Sequence, residues 1–313
     1  MRVQPIIRST ALLSVVCAAL IGCTPKTVIV GQISDLVDNG LSAFERDDDL
    51  DLLEKALPAN IKLLETMLVS DPGNGRLMVL LARLYGSYAF GFVEPRLEEV
   101  LFSSPSAVTG GPSATTLKGQ VSRCYAKGRD YALAALEISA PGAADAFAHV
   151  GMIDPYLKQL GKKQVPALFW YGFNLGGWVN RSLDSIRAVS QAHIARKVME
   201  RVIQLDPAFH HAGAHLFLVA YFGSRPPMMG GSQAKAADHY ETIKRLVARQ
   251  YVLPDLVYGR FCLVQQQERS AFIDLMRRIA EAPARGGDLA LYNAIAGRRA
   301  AIYLSAVDSL FAE

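Results

Sequence analysis

Two apolar helical faces joined by an Asp-Pro turn, at residues 195–222, constrain this chain more than any other stretch. Ala195, Val198, Met199, Val202 and Ile203 recur at helical spacing and form one face. Leu205-Asp206-Pro207 closes that helix, because proline cannot continue it and restricts the residue before it. A return face follows at Ala214, Phe217, Leu218, Tyr221 and Phe222. The unit is an αα-hairpin, which buries one face of each helix and leaves outer faces that need neighbours. The same design stands 135 residues earlier, where Leu57, Ile61, Leu64 and Leu68 precede Asp71-Pro72. Leu77, Leu80, Leu81, Leu84, Tyr85 and Tyr88 form its return face. A weaker helical face, Tyr131, Ala134, Ala135 and Ile138, ends at Pro141. Nothing alternates with period two for long enough to argue a sheet, so the expected fold is all-α, built of stacked antiparallel helix pairs.

Pro72, Pro141 and Pro207 are 69 and 66 residues apart. Each interval is close to twice the roughly 34-residue period of tetratricopeptide repeats. Counting from the turn prolines, Ala195, Met199 and Val202 fall on the small-large-small positions of such a repeat. Leu81, Ala82 and Tyr85 fall on its Leu, small and Tyr positions. Asn60 and Arg129 stand where a small alanine is usual, and Phe217 where a glycine or alanine is usual, so the expectation is of degenerate repeats.

The first residues are of another kind. Arg2 and Arg8 precede an apolar run from Ala11 to Leu20, and Leu20-Ile21-Gly22-Cys23 follows. A positive start, a short apolar core and a small residue describe a secretory signal, too short for a transmembrane span. The Leu-Ile-Gly-Cys sequence resembles the lipobox of bacterial lipoproteins, in which the cysteine is acylated and the signal is cut just before it. The expected organisation is a signal at 1–22, a lipidated tether at 23–34 anchored through Cys23, and one α-helical domain at 35–313. No other apolar run is long and uninterrupted enough to span a bilayer. Loss of Arg2 and Arg8 with the signal lowers the formal charge from +4 to +2. That near-neutral balance lacks the basic stripe that nucleic-acid binding needs.

Cys124 and Cys262 remain after the signal and anchor take the other two cysteines, and they show no redox or metal spacing. Two cysteines in an exported chain can pair, but these unrelated contexts favour two buried free thiols. The hydrophobic fraction of 51% and mean hydropathy of +0.18 are high for a monomer. They point to a self-interface, hence a homo-oligomer, or to an apolar channel.

Asp47-Asp48-Asp49 superficially resembles a calcium loop, but Leu52 and Pro58 occupy the positions of its Gly and Glu, so it reads as a loop and helix cap. Residues 89–118 hold three prolines, a Gly-Gly pair and many Ser and Thr, and predict a break in the helical period with a loop or short helix over one mouth of the stack. Pro155 and Pro166 bracket a basic segment, and Leu168 to Trp178 then carries both tryptophans, eight residues apart. Gly172 and Gly176 have the spacing that admits a close helix neighbour. Two readings of this segment stand. It is an aromatic inner helix of the stack, or a ligand- or partner-facing wall with Trp170, Tyr171, Asn174 and Trp178 on a cavity, joined by Tyr221 and Arg225. Further helices are expected near 232–248, 270–280 and 288–311.

The Trp-Tyr-Gly helix ending in Gly-x-Trp, and the later Pro-x-Met-Gly-Gly-x-x-x-Lys-Ala helix, resemble the TatT proteins, lipoproteins associated with TRAP transporters. The resemblance runs from the signal to the C-terminus. It implies a helical repeat fold and partnership with the transporter's periplasmic substrate-binding protein. The membrane subunits of such transporters couple organic-acid import to ion gradients without ATP. The chain is then a periplasmic, lipid-anchored accessory subunit with no chemistry and no cofactor of its own.

The best candidate for chemistry lies in His210-His211-Ala212-Gly213-Ala214-His215. His211 and His215 are four apart, as zinc ligands can be, but Ala212 replaces the glutamate of the metalloprotease motif and no third ligand is in view. No nucleophile elbow, phosphate loop or dinucleotide fingerprint is present. Three readings follow: a membrane-tethered scaffold that docks the substrate-binding protein and binds or passes its ligand; a metal-dependent envelope hydrolase using His211 and His215; and a structural envelope lipoprotein.

Overall fold

The computed structural model describes residues 40, 42–102, 111–182, 184–247, 250–282 and 287–311. The signal, Cys23, the tether and the start of the helical domain at Asp35 lie outside them. The described residues are helices and turns with no strand, so the fold is all-α.

Helices α1 (Leu50–Ser70) and α2 (Gly75–Tyr88) form the first hairpin. Asp49 starts α1 by accepting the Leu52 N–H at 2.9 Å, and Asp47 accepts the Asp49 N–H, so the acidic run is a helix start. At the turn, the Asp71 N–H bonds back to Met67 and Leu68, and Asn74 caps α2 by accepting from Leu77. Leu53, Leu57, Ile61 and Leu64 then bury against Leu77, Leu81 and Leu84. The Glu65 carboxylate accepts from Tyr85 within the pair and from Lys127 and Tyr131 of the later helix at 114–139.

The helical period does not break at Tyr88; within the expected break at 89–118 it runs on to Phe102, and residues 111–113 are non-helical. A π turn, Ala89–Val93, carries α2 directly into α3 (Glu94–Phe102), and its wider hydrogen bond runs from the Glu94 N–H to the Ala89 carbonyl. The next amide in that pattern belongs to Pro95, which has no N–H to give to the Phe90 carbonyl. Arg299 supplies the missing donor at 3.3 Å. The continuous helix Gly75–Phe102 is 28 residues long and apolar enough to span a membrane by composition, but 72% of its apolar window is buried inside the protein, as a core helix is.

The order continues with α4 (Ala114–Ser139), α5 (Ala143–Ala148), α6 (Val150–Gln159), α7 (Val165–Asn180) and the short α8 (Ile186–Val189). The second strong hairpin is α9 (Ala192–Leu205) with α10 (Phe209–Gly223). After it come α11 (Gln233–Leu246), α12 (Leu253–Tyr258), a second π turn at Gly259–Leu263, α13 (Arg269–Glu281), α14 (Ala290–Ser305) and α15 (Val307–Leu310). Near Pro141 the α4 face is Ala132, Ala135 and Leu136, while the last turn runs past its neighbours and leaves Ile138 49% exposed. Cys124 and Cys262 are buried free thiols.

Helix α7 is the centre. It packs against α2, α4 and α9, α10 packs on α9, and α14 returns to α1 and α3, which closes the stack on itself. Small residues let α7 sit there. A Cβ on Gly172 would meet Val198 and Met199 of α9, one on Gly176 would meet Phe217 of α10, and one on Gly177 would meet Tyr125 of α4. Asn174 is wholly buried and donates to the Ala82 and Trp170 carbonyls at 3.0 and 2.7 Å. Gly86 of α2 and Gly128 of α4 leave the room for its amide.

A Gly128→Ala methyl would lie 2.4 Å from the Asn174 Oδ1, which its two hydrogen bonds hold in place. Despite about 1 kcal/mol gained in helix propensity, net destabilisation of about 1–2 kcal/mol is expected from overpacking, read as a shift in urea midpoint. Gly73→Ala, in the open turn with nothing within 4 Å, is expected to stay within about 0.5 kcal/mol of the parent.

Candidate functional site

The closed stack surrounds a cavity of about 710 Å³. Its wall is mostly apolar and rich in aromatic rings. Phe169, Trp170 and Phe173 enter from α7, Phe217 and Tyr221 from α10, Phe90 and Phe92 from the first π turn, and Phe261 from the second. Both π turns thus lie on the wall. A π turn shifts the register of the helix after it, and such turns recur at functional sites. Gly176, Gly177 and Gly213 lie on the wall too, with Phe217, Tyr125 and Phe169 seated where a Cβ would stand.

Polar groups interrupt this lining at separate places. Glu94 and Glu98, one turn apart on α3, share the cations Arg181 and Arg299. Arg299 lies 3.2 Å from Glu94 and 2.7 Å from Glu98, while Arg181 lies 2.9 and 3.3 Å from the same two carboxylates. Tyr125 donates to Glu94 and Tyr303 to Glu98. Burial alone raises the Glu94 carboxyl, but Arg181 and Arg299 outweigh it and hold that carboxyl below its ordinary value. The two carboxylates and two guanidiniums form a neutral network.

A second polar place joins Glu45, Arg83, Tyr292 and His210. Arg83 reaches Glu45 at 2.6 Å, the Tyr292 hydroxyl donates to the same carboxylate, and the His210 Nε2 is 3.4 Å from that hydroxyl. Burial pushes His210 well below the usual imidazole range, so it is neutral at physiological pH.

His210 reaches the wall through an unusual backbone. His210, His211 and Ala212 all have left-handed φ, at 48°, 54° and 58°, a single left-handed turn at the head of α10. Left-handed helical backbone costs about 1–2 kcal/mol per residue without glycine. The turn packs the His210 ring on Trp170, with centroids 4.9 Å apart, and puts His211 against Tyr251 and Tyr292.

That turn corrects the expectation for the histidines. His211 and His215 do not share a helical face, because residues 210–212 are not right-handed and the four-residue register between them is lost. His215 instead places its Nδ1 2.9 Å from the Nδ1 of His239 on α11, and burial with the nearby His239 lowers it to about 4. Among the described residues no three His, Cys, Asp or Glu side chains are placed to hold one metal ion.

Of the residues expected at a site, Trp170, Tyr221 and Arg225 line the cavity together. Tyr171, Asn174 and Trp178 do not, which corrects the expectation of one aromatic wall. On α7, residues 170, 173 and 177 face the cavity, while 171, 174 and 178 follow the same spacing on another face. Tyr171 stacks on Phe147 with centroids 4.5 Å apart, Asn174 is the buried crosslink, and Trp178 is half-buried beside the Arg129 guanidinium. Cys23 lies outside the described residues. The sequence reading missed Phe90, Phe173, Phe217, Arg260 and the Glu94–Arg299 network. Glu94 and Glu98 stand four apart in the charged segment after the apolar Ala89–Val93, with Arg96 and Glu99 beside them, so the sequence did not single them out.

The site is thus an all-α shell around an apolar, aromatic-rich cavity with a buried ion network whose charges offset one another. Comparison with known families agrees with a transport role: residues 46–311 match the sequence model of TAtT, the TRAP transporter T-component, and the chain belongs to that family. It is therefore an accessory component of a TRAP transporter. The chain is also 24% identical over 238 residues to an uncharacterized protein of Treponema pallidum (strain Nichols), a match covering 75% of this chain and 72% of that one.

Arg299 is 4% exposed, and replacing it with Met leaves Glu94 and Glu98 one cation short and the Phe90 carbonyl without its donor. A loss of about 3–5 kcal/mol in unfolding free energy is expected from urea titration. Arg46→Met, which breaks an exposed pair with Asp288, is expected to cost less than about 1 kcal/mol.

Proposed function

We propose that this protein docks the periplasmic substrate-binding protein of its TRAP transporter at the membrane and holds that protein's ligand in its central cavity. The observation that carries the reading is the cavity itself, about 710 Å³ of apolar, aromatic-rich space inside a T-component. That volume is in the range of small-molecule sites, which are typically apolar with a few placed polar groups. The lipobox-like Leu20-Ile21-Gly22-Cys23 supports lipid anchoring on the periplasmic side, and a tether raises the partner's effective concentration near the membrane.

The docking surface we propose is the loop Arg225–Gly231. Pro226 and Met229 line the cavity while Met228 is 90% exposed, so the loop offers an apolar contact beside the ligand space. Its shape is fixed rather than adaptable. Gly230 has a left-handed φ of 84°, and a Cβ on Gly231 would lie 1.7 Å from the Arg225 carbonyl oxygen.

The test is affinity capture from periplasmic extract with the chain from residue 24 onward, with bound proteins identified by mass spectrometry. Capture of a TRAP substrate-binding protein by the parent, and its loss with Met228→Asp/Met229→Asp at unchanged helical circular dichroism, is the expected outcome. Equal capture by parent and variant removes the loop from the interface. Capture of no such protein by the parent removes the docking reading.

A further inference from the structure

We infer that the cavity takes an amphipathic anion, with its acidic group on Arg225 or Arg260 and its apolar body among the rings. This rests on the cavity being the ligand space proposed above. The argument is a charge ledger of the wall. Glu45 is matched by Arg83, and Glu94 with Glu98 by Arg181 with Arg299. Arg225 and Arg260 line the same cavity and have no ion pair among the described residues. The wall therefore carries two uncompensated positive charges.

Both guanidiniums are half-buried and held in place by contacts other than a carboxylate. The Arg225 Nη1 donates to the Tyr221 carbonyl at 2.9 Å, and its guanidinium lies 4.1 Å from the centre of the Tyr221 ring. The Arg260 guanidinium lies between the Phe261 and Tyr303 rings, 5.6 and 5.7 Å from their centres. A guanidinium is planar and presents its N–H donors in one fork, suited to bidentate contact with an oxyanion. Burial lowers Arg225 from its ordinary value, in keeping with its place in the wall beside the Tyr221 ring.

Each alternative occupant leaves something unsatisfied. A neutral apolar molecule removes the remaining water from both cations and gives no charge in return. A cation adds repulsion. A small hydrophilic anion leaves the aromatic space around Phe169, Phe173 and Phe217 wet. An acid with a long apolar body satisfies both parts of the wall.

The test compares cis-parinaric acid with its methyl ester by fluorescence titration of the full mature chain. The expected result is that the acid binds roughly tenfold or more tightly than the ester, because only the acid forms a charge-assisted contact. Arg225→Gln or Arg260→Gln, singly or together, is expected to bring acid binding down to the ester's while ester binding stays as in the parent. That unchanged ester binding also shows that the variant cavity is folded. Acetate at millimolar concentration is expected not to displace the acid, and displacement overturns the need for an apolar body. Equal binding of acid and ester by the parent, or an acid preference that survives both substitutions, overturns the charge assignment and leaves the ligand space standing. Binding of neither probe overturns the ligand space itself.

Discussion

The structure depends on how closely other helices approach α7. A helix with apolar residues all round can only be buried all round, and α7 has neighbours on its several sides. Gly172, Gly176 and Gly177 bring the α9, α10 and α4 side chains close to its backbone. Asn174 then fixes the crossing, because its amide is enclosed by glycines of two neighbouring helices and bonded to the Ala82 carbonyl. An amide buried with a fixed partner disfavours sliding of one helix past another, since any shift leaves polar groups without partners.

The cavity follows from that arrangement. Rings from α7 and α10 pack onto glycines of the facing helix, Phe217 on Gly176 and Phe169 on Gly213, and the cavity lies beside these contacts. The two π turns and the left-handed turn at His210 each move the following side chains by a fraction of a helical turn, and each delivers residues to the same wall. The network of Glu94, Glu98, Arg181 and Arg299 links α3, α7 and α14, so the charges within the wall also hold the closure of the stack. Removing one member exposes the others to an apolar surrounding, which is why such a network is costly to break even where its net contribution is modest.

The hairpins were legible because their signals are local. Asp-Pro turns and leucine faces at helical spacing act within a few residues, and α1–α2 and α9–α10 stand where they place them. The lining was legible only in part. Trp170, Tyr221 and Arg225 attracted notice as aromatics and a cation in unusual segments, but composition does not say which face of a helix buried on all sides meets empty space. Asn174 and Tyr171 therefore seemed equal candidates, and only the packing of Gly86, Gly128 and Phe147 separates them from the wall. The prolines after residue 89 suggested a break, yet a π turn absorbs Pro95 and a side chain 209 residues away satisfies the carbonyl it strands. The His211–His215 spacing misled for a related reason, because the left-handed turn that separates them has no glycine to announce it.

The central claim is that α7 and its neighbours hold open a preformed cavity whose part between Phe169, Phe173 and Phe217 is apolar, rather than a groove that closes when empty. Crystals of the chain from residue 24 onward under xenon pressure test it most directly, since xenon enters preformed apolar cavities and not water-filled or collapsed ones. The account predicts xenon between the rings of Phe169, Phe173 and Phe217, with the surrounding backbone unmoved. Side chains collapsed into that space, or ordered water filling it with no xenon bound, would contradict it.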